Sequence, residues 1–165
     1  MELIPHPDWP AHTVRGIEVD AAVRGGIASL AYHVRGAVPA MAPPAAPERT
    51  DDLWKHTCFE LFVRPAGGEG YYEFNFAPSG QWAAYRFERY RAGRNDAPLA
   101  TPVIEVTDEG VQVTVDLSGL PKGEWRVGLS AVIEEADLTM SYWALAHAAG
   151  KADFHDPAGW ALTIR

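Results

Sequence analysis

Cysteine is nearly absent from this chain, because Cys58 is the only one among 165 residues. A single cysteine excludes an intrachain disulfide and a cysteine-rich metal site. Cys58 lies inside a strand-like run, so we interpret it as a small buried residue rather than a reactive thiol. A chain of this length can bury roughly 70% of the surface that its unfolded form exposes, and we expect one domain over residues 1–165.

Basic clusters and long apolar runs are also missing. Fourteen Lys and Arg against 22 Asp and Glu give a formal net charge of −8, which disfavours a phosphate-backbone partner, so no nucleic acid is expected. No apolar run approaches the roughly 20 residues of a membrane-spanning helix, and the N-terminus lacks the basic-then-apolar order of a secretory signal. We therefore expect no membrane partner and, if this is the full gene product, a cytoplasmic location.

The familiar signatures of catalysis are absent as well. No glycine-rich phosphate loop, G-x-S-x-G, H-E-x-x-H or Ser/His/Asp order occurs, and no nucleophile is visible. Six His and three Met would allow an axial haem pair, although C-x-x-C-H is missing. Asp51 and Asp52 could bind calcium, which is a weak signal in itself. We expect no catalytic residue, no metal and no cofactor, with calcium and haem left open.

What the chain does contain is a series of strand-like runs between turn signals. No segment of ten or more residues holds a convincing helical period. The runs cover residues 14–23, 27–35, 57–64, 71–77, 81–90, 103–107, 111–116, 125–135, 140–147 and 160–165. They predict an all-β fold with little helix, a two-sheet antiparallel β-sandwich of jelly-roll or immunoglobulin-like type. The Pro- and Ala-rich residues 37–50 predict an extended surface loop.

The alternation within residues 58–88 separates two faces, because the side chains of a strand reverse direction at every residue. One face is apolar and would form the core, with Tyr85 and Phe87 as its members in the third run. The other would carry polar and aromatic groups: Glu60, Tyr71, Glu73, Asn75, Trp82 and Arg86. Neighbouring same-face side chains lie about 5 Å apart, so these groups can converge. Their paired hydrogen bonds and the Trp82 ring suit a sugar, and we predict a ligand-binding face.

A second cluster lies near the C-terminus. Trp143 and His147 share one face of a strand, and the KADFH loop with His155 follows shortly after. The spacing between His147 and His155 matches no recognised metal motif. We therefore predict ligand contacts by Trp143, His147 and His155 without a metal.

Other interpretations of both clusters stay open at this point. The polar face could be a solvated surface on which opposite charges neutralise one another. Trp143 could belong to the core, with the histidines anchoring a loop. Glu60 and Glu73 could also be a glycosidase pair, which needs a carboxyl separation of about 5–5.5 or 6.5–9.5 Å.

The segments LWKHTCFELFV, YYEFNFAPSGQWAAYRFERYR, YWALAH and KADFH together resemble the DOMON-like sandwiches related to family-nine carbohydrate-binding modules. The resemblance runs from about residue 14 to the end and is strongest over residues 53–91. It implies a two-sheet β-sandwich that binds a sugar or, in some relatives, haem. By matching position, it also implies residues that would line or support the ligand face: Trp54, Glu60, Glu73, Asn75, Trp82, Trp143 and His147.

We therefore predict a non-catalytic module that binds a small molecule, a carbohydrate or a sugar derivative, on one sheet face. A haem-binding redox domain, an enzyme acting on a sugar derivative and a protein scaffold are the alternatives. The sequence makes no prediction of the oligomeric state.

Overall fold

A computed structural model describes residues 1–37 and 39–165, so Val38, inside the predicted 37–50 loop, lies outside the described residues. In the described part, twelve strands make up almost all of the regular structure. They are β1 (Glu2–Pro5), β2 (Val14–Arg24), β3 (Ile27–Gly36), β4 (Cys58–Pro65), β5 (Tyr71–Phe76), β6 (Trp82–Phe87), β7 (Asn95–Asp96), β8 (Val103–Thr107), β9 (Gly110–Asp116), β10 (Trp125–Glu134), β11 (Met140–Ala144) and β12 (Leu162–Ile164). Two single 3-10 turns, Leu53–Lys55 and Pro157–Gly159, are the helical elements among these residues. The all-β prediction is confirmed.

The strands form one curled antiparallel sheet in the order β7-β6-β5-β4-β10-β11-β1-β2-β3-β9-β8, and β12 pairs with the start of β10. The first strand joins the two halves of this sheet. Glu2 and Leu3 pair with β2, whereas Ile4 and Pro5 pair with β11. The predicted division into two separate sheets is therefore not confirmed, because hydrogen bonding is continuous through β1.

The curling brings the inner faces of the two halves onto one core. Its members alternate along each strand, as in Ile17 and Val19 of β2 and Phe59 and Leu61 of β4. The β2–β3 hairpin that helps to close this core turns at Gly25 and Gly26, which have φ of 59° and 85°. Two successive positive φ angles favour glycine, because side chains with a Cβ rarely adopt them.

The outer face of β4, β5 and β6 carries a second, smaller apolar cluster that includes Phe62, Tyr71 and Phe87. The C-terminal segment covers part of this face through Trp160, whose ring stacks on Phe62 at 5.8 Å between centroids. Gly128 permits this approach, because a Cβ there would lie 2.3 Å from Cδ1 of Trp160. This arrangement holds residues 154–160 over the sheet and beside the groups described next.

The predicted faces of β4 and β5 are confirmed, but the faces that we predicted for β6 are wrong. The register places Tyr85 opposite Glu73 and Arg86 opposite Tyr72. Directly paired residues share a face, so Tyr85 and Phe87 lie on the outer face. Trp82 is buried in the main core, and Arg86 is exposed on the side opposite Glu73. Apolar residues on both faces of β6 made the two assignments indistinguishable by alternation.

Residues 39–50 of the predicted loop form no strand, apart from one isolated bridge between Arg49 and Trp82. The segment lies along β6 near its first residue, where the Trp82 indole donates to the carbonyl of Pro47 at 3.4 Å. No helix in the described part of the chain is both long enough and apolar enough to cross a membrane.

Candidate functional site

A cavity of about 770 Å³ opens on the outer face of β4–β6, and we call it the outer pocket. Nine parts of the chain contribute its lining, from the loop after β1 to the C-terminal segment. The lining residues are Trp9, Trp54, Glu60, Glu73, Tyr85, Phe87, Arg91, Arg94, Val132, Tyr142, Lys151, Ala152, Phe154 and His155. Carboxylates, cations and aromatic rings therefore meet in one depression.

Two carboxylates form the floor of the outer pocket. Glu60 is 3% exposed and Glu73 is 6% exposed. The Asn75 side-chain amide donates to Glu73 Oε1 at 2.8 Å, and the Ser130 hydroxyl donates to Glu60 Oε2 at 3.3 Å. Each of these hydrogen bonds fixes the position of one carboxylate oxygen. The other oxygen of Glu60, Oε1, has no hydrogen bond to a described residue and can accept one from a ligand. The floor thus presents acceptor atoms whose positions are set before a ligand arrives.

Burial raises the pKa of both floor carboxyls. For Glu60 the pKa lies well above its usual value, first because of desolvation and second because of the negative charge of Glu73. For Glu73 desolvation is again the largest cause, while the Asn75 hydrogen bond and the charges of Arg91 and Arg94 act in the opposite direction on its pKa. The two groups therefore retain a proton more readily than exposed carboxylates do, and such a pair can both donate and accept hydrogen bonds.

A hydrogen-bonded chain orients His155 above the floor. The backbone N–H of Arg91 donates to the Tyr71 hydroxyl at 3.2 Å, and that hydroxyl lies 2.7 Å from His155 Nδ1, to which we assign it as the donor. This assignment leaves the proton of a neutral imidazole on Nε2, which lies 3.6 Å from Glu73 Oε2. Desolvation, followed by the charge of Arg91, lowers the pKa of His155 to about 4. His155 is therefore a neutral, directed donor near pH 7.

Aromatic side chains form the walls and the mouth. Tyr85, Phe87 and Phe154 stand beside the floor, whereas Trp9 and Trp54 are 45% and 47% exposed. The Trp9 ring packs edge-on against Tyr142 with 5.2 Å between centroids. Two indole rings that keep open surface at a pocket mouth can stack on the apolar face of a sugar ring or of another flat ligand.

Three basic side chains complete the lining. Arg91 pairs with Asp153, with 2.7 Å between Nη2 and Oδ1, and Tyr90 also donates to this carboxylate. The Arg94 guanidinium lies over the Tyr85 ring at 4.8 Å from its centroid. Lys151 enters from the C-terminal segment. Among the described residues, neither Arg94 nor Lys151 has a carboxylate oxygen within 4.0 Å.

Six of the ten predicted site residues gather at the outer pocket. Trp54, Glu60, Glu73 and His155 line it, while Tyr71 and Asn75 hold His155 and Glu73 in place. These six come from β4, β5, the Leu53–Lys55 turn and the C-terminal segment. Their convergence favours a built cavity over a solvated sheet face.

The other four predicted residues lie elsewhere. Trp82 and Trp143 both belong to the main core, and the Trp143 indole donates to Ser141 at 2.9 Å. Arg86 points away from Glu73, as the register of β6 requires. His147 Nε2 lies 2.7 Å from the carbonyl of Ile4, so it anchors the chain near β1. The positions of Trp143 and His147 agree with the alternative in which Trp143 belongs to the core and a histidine anchors a loop.

Sequence reasoning did not single out Tyr85 and Phe87 as site residues, nor Arg91, Arg94 and Trp9. Tyr85 and Phe87 would have been predicted as site residues if the two faces of β6 had been assigned correctly. Arg91 and Arg94 lie in the loop directly after β6, beyond the part of the chain where alternation carries information. Trp9 comes from a loop near the N-terminus, and no local pattern connects it to a strand about fifty residues later.

Potential metal ligands away from the pocket are engaged by protein groups. Asp51 accepts from the Tyr85 hydroxyl at 2.5 Å, while Asp52 pairs with Lys55 at 2.6 Å. A separate group of His12, Glu135 and Asp137 also comes together. Glu135 accepts from the backbone N–H groups of residues 12–14, so its carboxylate fastens the chain ahead of β2.

Comparison with solved structures gives a match of fold. No family model and no curated protein matches the chain. A crystal structure of a proposed carbohydrate-binding protein from Bacteroides uniformis ATCC 8492 superposes with a TM-score of 0.69 and 18% sequence identity. The match covers 98% of this chain and 84% of the other. At this identity the similarity establishes a shared fold over nearly the whole chain.

Proposed function

We propose that the protein is a non-catalytic binding module for a carbohydrate or a sugar derivative, and that the outer pocket is its site. We also propose that it belongs with the DOMON-like sandwiches related to family-nine carbohydrate-binding modules. The fold shared with the proposed carbohydrate-binding protein from Bacteroides uniformis supports the first proposal, and the resemblance of the sequence segments supports the second. The observation that carries the first is the buried Glu60–Glu73 floor beneath the half-exposed rings of Trp9 and Trp54.

The chemical groups of a sugar match this combination of buried carboxyl groups and exposed indole rings. A pyranose presents hydroxyls at its rim, which need paired donors and acceptors, and C–H groups on its faces, which stack on aromatic rings. Glu60 and Glu73 supply acceptors, and His155 Nε2 supplies a donor, while the exposed indoles supply the stacking surface. The volume of about 770 Å³ lies within the roughly 300–1,000 Å³ of small-molecule sites.

Rigidity supports binding as well. The floor residues belong to paired strands, and Asn75 and Ser130 already fix one oxygen of each carboxylate. Little side-chain order has to be gained when a ligand enters, so less of the interaction free energy is lost to entropy.

The floor also favours a second candidate, an enzyme that acts on a sugar derivative. Glu60 pairs with Asn75 and Glu73 pairs with Phe62, so the two carboxylates are diagonal neighbours on adjacent strands. Diagonal positions are about 7–8 Å apart at the backbone, which is compatible with a general acid and a general base. The raised pKa of Glu60 would suit the acid.

A thermal-shift screen against monosaccharides, disaccharides and nucleotide sugars tests the proposal, because a ligand that binds only the native state raises its melting temperature. For the best ligand, Glu73→Gln should weaken binding at least tenfold in calorimetry, with the melting temperature of the free protein little changed. The matched control is Glu105→Gln, an exposed carboxylate on β8 in the other half of the sheet.

Two outcomes would decide against the proposal. Equal affinity of Glu73→Gln and Glu105→Gln would remove the outer pocket as the site. Release of reducing sugar by the native protein, lost in Glu73→Gln, would replace the binding module with the enzyme.

A further inference from the structure

The mouth of the outer pocket carries three basic side chains, and two of them form no close ion pair with a described residue. Arg91 is matched by Asp153 at 2.7 Å. In the part of the chain that the structure describes, Arg94 and Lys151 line the cavity without a carboxylate inside ion-pair distance. Basic side chains without a close partner also occur elsewhere on the surface, but these two face the same cavity.

Arg94 has a defined position at this mouth. Its guanidinium lies over the Tyr85 ring at 4.8 Å from the centroid, and Tyr85 is itself fixed by its hydrogen bond to Asp51. Arg94 and Glu73 line the same cavity, and the charge of Arg94 partly opposes the rise that burial causes in the pKa of the Glu73 carboxyl. A planar cation held in this way can bind a carboxylate or a phosphate through two parallel N–H groups.

The floor and the mouth have opposite character. Glu60 and Glu73 line the bottom of the pocket with carboxyl groups, which can exchange hydrogen bonds with hydroxyls but provide no positive charge for an anionic group. Arg94 and Lys151 would attract an anionic group to the mouth. In a protein with a formal net charge of −8, two cations that face one cavity without a carboxylate inside 4.0 Å among the described residues can select and orient an anionic ligand.

We propose that the ligand is an acidic saccharide, a sugar bearing a carboxylate or a phosphate, whose anionic group is bound by Arg94 and Lys151 while its hydroxyls contact Glu60 and Glu73. This inference rests on the proposed function, since it specifies the class of sugar that the same pocket takes. The negative charge of this group is what the two basic side chains would recognise. Uronic acids supply it as a carboxylate, and sugar phosphates supply it as a phosphate.

Calorimetry with matched pairs tests the inference: glucuronate against glucose, galacturonate against galactose, and glucose 6-phosphate against glucose. At low ionic strength we expect the acidic member of at least one pair to bind about ten times more tightly or better, which corresponds to about 1.4 kcal/mol. The gap should narrow as salt is added, because the mouth is open to solvent. The carboxylate and phosphate pairs show which source is preferred.

Three variants assign the effect to its residues. Arg94→Gln and Lys151→Gln should each reduce, at least threefold, the ratio of the affinity for the acidic member to the affinity for the neutral sugar. Arg86→Gln is the matched control, because Arg86 is exposed on the opposite side of β6, and it should leave the preference intact.

The possible failures are distinguishable. Neutral sugars that bind as tightly as their acidic partners would overturn the inference and leave the proposed function standing. Inorganic phosphate or acetate that binds as tightly as the sugar acids would also overturn it, since the sugar would then contribute nothing. A complete lack of saccharide binding, neutral and acidic, would overturn the proposed function itself.

Discussion

Gly128→Ala tests whether the C-terminal segment is held against the sheet by the close approach of the Trp160 ring to Gly128. The new Cβ would lie 2.3 Å from Cδ1 and 3.0 Å from Cγ of Trp160, whereas carbon atoms in contact are ordinarily about 3.5–4.0 Å apart. The indole would therefore have to move by roughly 1 Å or more, or the strand would have to move instead.

The indole cannot move without loss of other contacts. Its ring stacks on Phe62, its Nε1–H donates to the carbonyl of Phe154 at 2.9 Å, and it is 2% exposed. Overpacking of this kind costs about 1–3 kcal/mol, and expulsion of the ring would cost about 3–5 kcal/mol, as for a buried Trp→Ala change. We expect a loss of about 3 kcal/mol in the free energy of unfolding.

Urea unfolding measures this loss, which corresponds to a decrease of about 1 M or more in the midpoint. Gly119→Ala is the matched control, because a Cβ at Gly119 meets no atom within 4 Å. In a Trp160→Leu background the Gly128→Ala substitution should become much less costly, since the clashing ring is gone. Equal midpoints for Gly128→Ala and Gly119→Ala would refute the close approach, and an unchanged cost in the Trp160→Leu background would place the strain elsewhere.

Two further predictions concern stability. Burial lowers the pKa of His155 from 6.5 to about 4, so between these pH values the unfolded chain binds a proton that the folded chain excludes. The contribution of His155 to stability should therefore fall as the pH drops from 6.5 to 4, by up to about 1.4 kcal/mol per pH unit. Because Glu60 and Glu73 act in the opposite direction, the measurement is the difference in urea midpoint between the native protein and His155→Gln across this range, and a difference that does not change with pH would contradict the prediction. Desolvation would raise the pKa of Glu135, but hydrogen bonds from the Val14, Thr13 and His12 backbone lower it overall. Glu135→Ala, which leaves those donors without their acceptor, should cost about 3 kcal/mol at pH 7, and a urea midpoint equal to that of Glu105→Ala would show that the carboxylate is dispensable.

The part of the site that the sequence predicted rests on strands with an unambiguous alternation. In β4 and β5 one face holds only apolar residues, so Glu60, Glu73 and Asn75 had to share the other face. In β6 both faces are apolar enough for a core, and alternation cannot choose between them. The register against β5 makes that choice, and register depends on the packing of the whole sheet.

The architecture also combines features that local sequence encodes with features that only tertiary packing decides. Turn signals and strand-like runs predict an all-β chain, because both are encoded by neighbouring residues. The continuity of the sheet depends on Ile4 and Pro5 pairing with Ala144 and Trp143. The local sequence does not predict that segments near opposite ends of the chain pair with each other.

By itself the amino-acid sequence determined ten of the twelve strands, the apolar face of β4 and β5, and the acidic groups that form the floor of the outer pocket, whereas β1 and β7 were not predicted. Only the tertiary structure decided what stands above that floor: Trp9, Arg94 and Lys151 from three separate segments, and His155 bonded to Tyr71 across 84 positions. The physical reason is that a strand fixes side-chain direction every second residue. A loop or a terminus acquires its position only from the surfaces on which it packs.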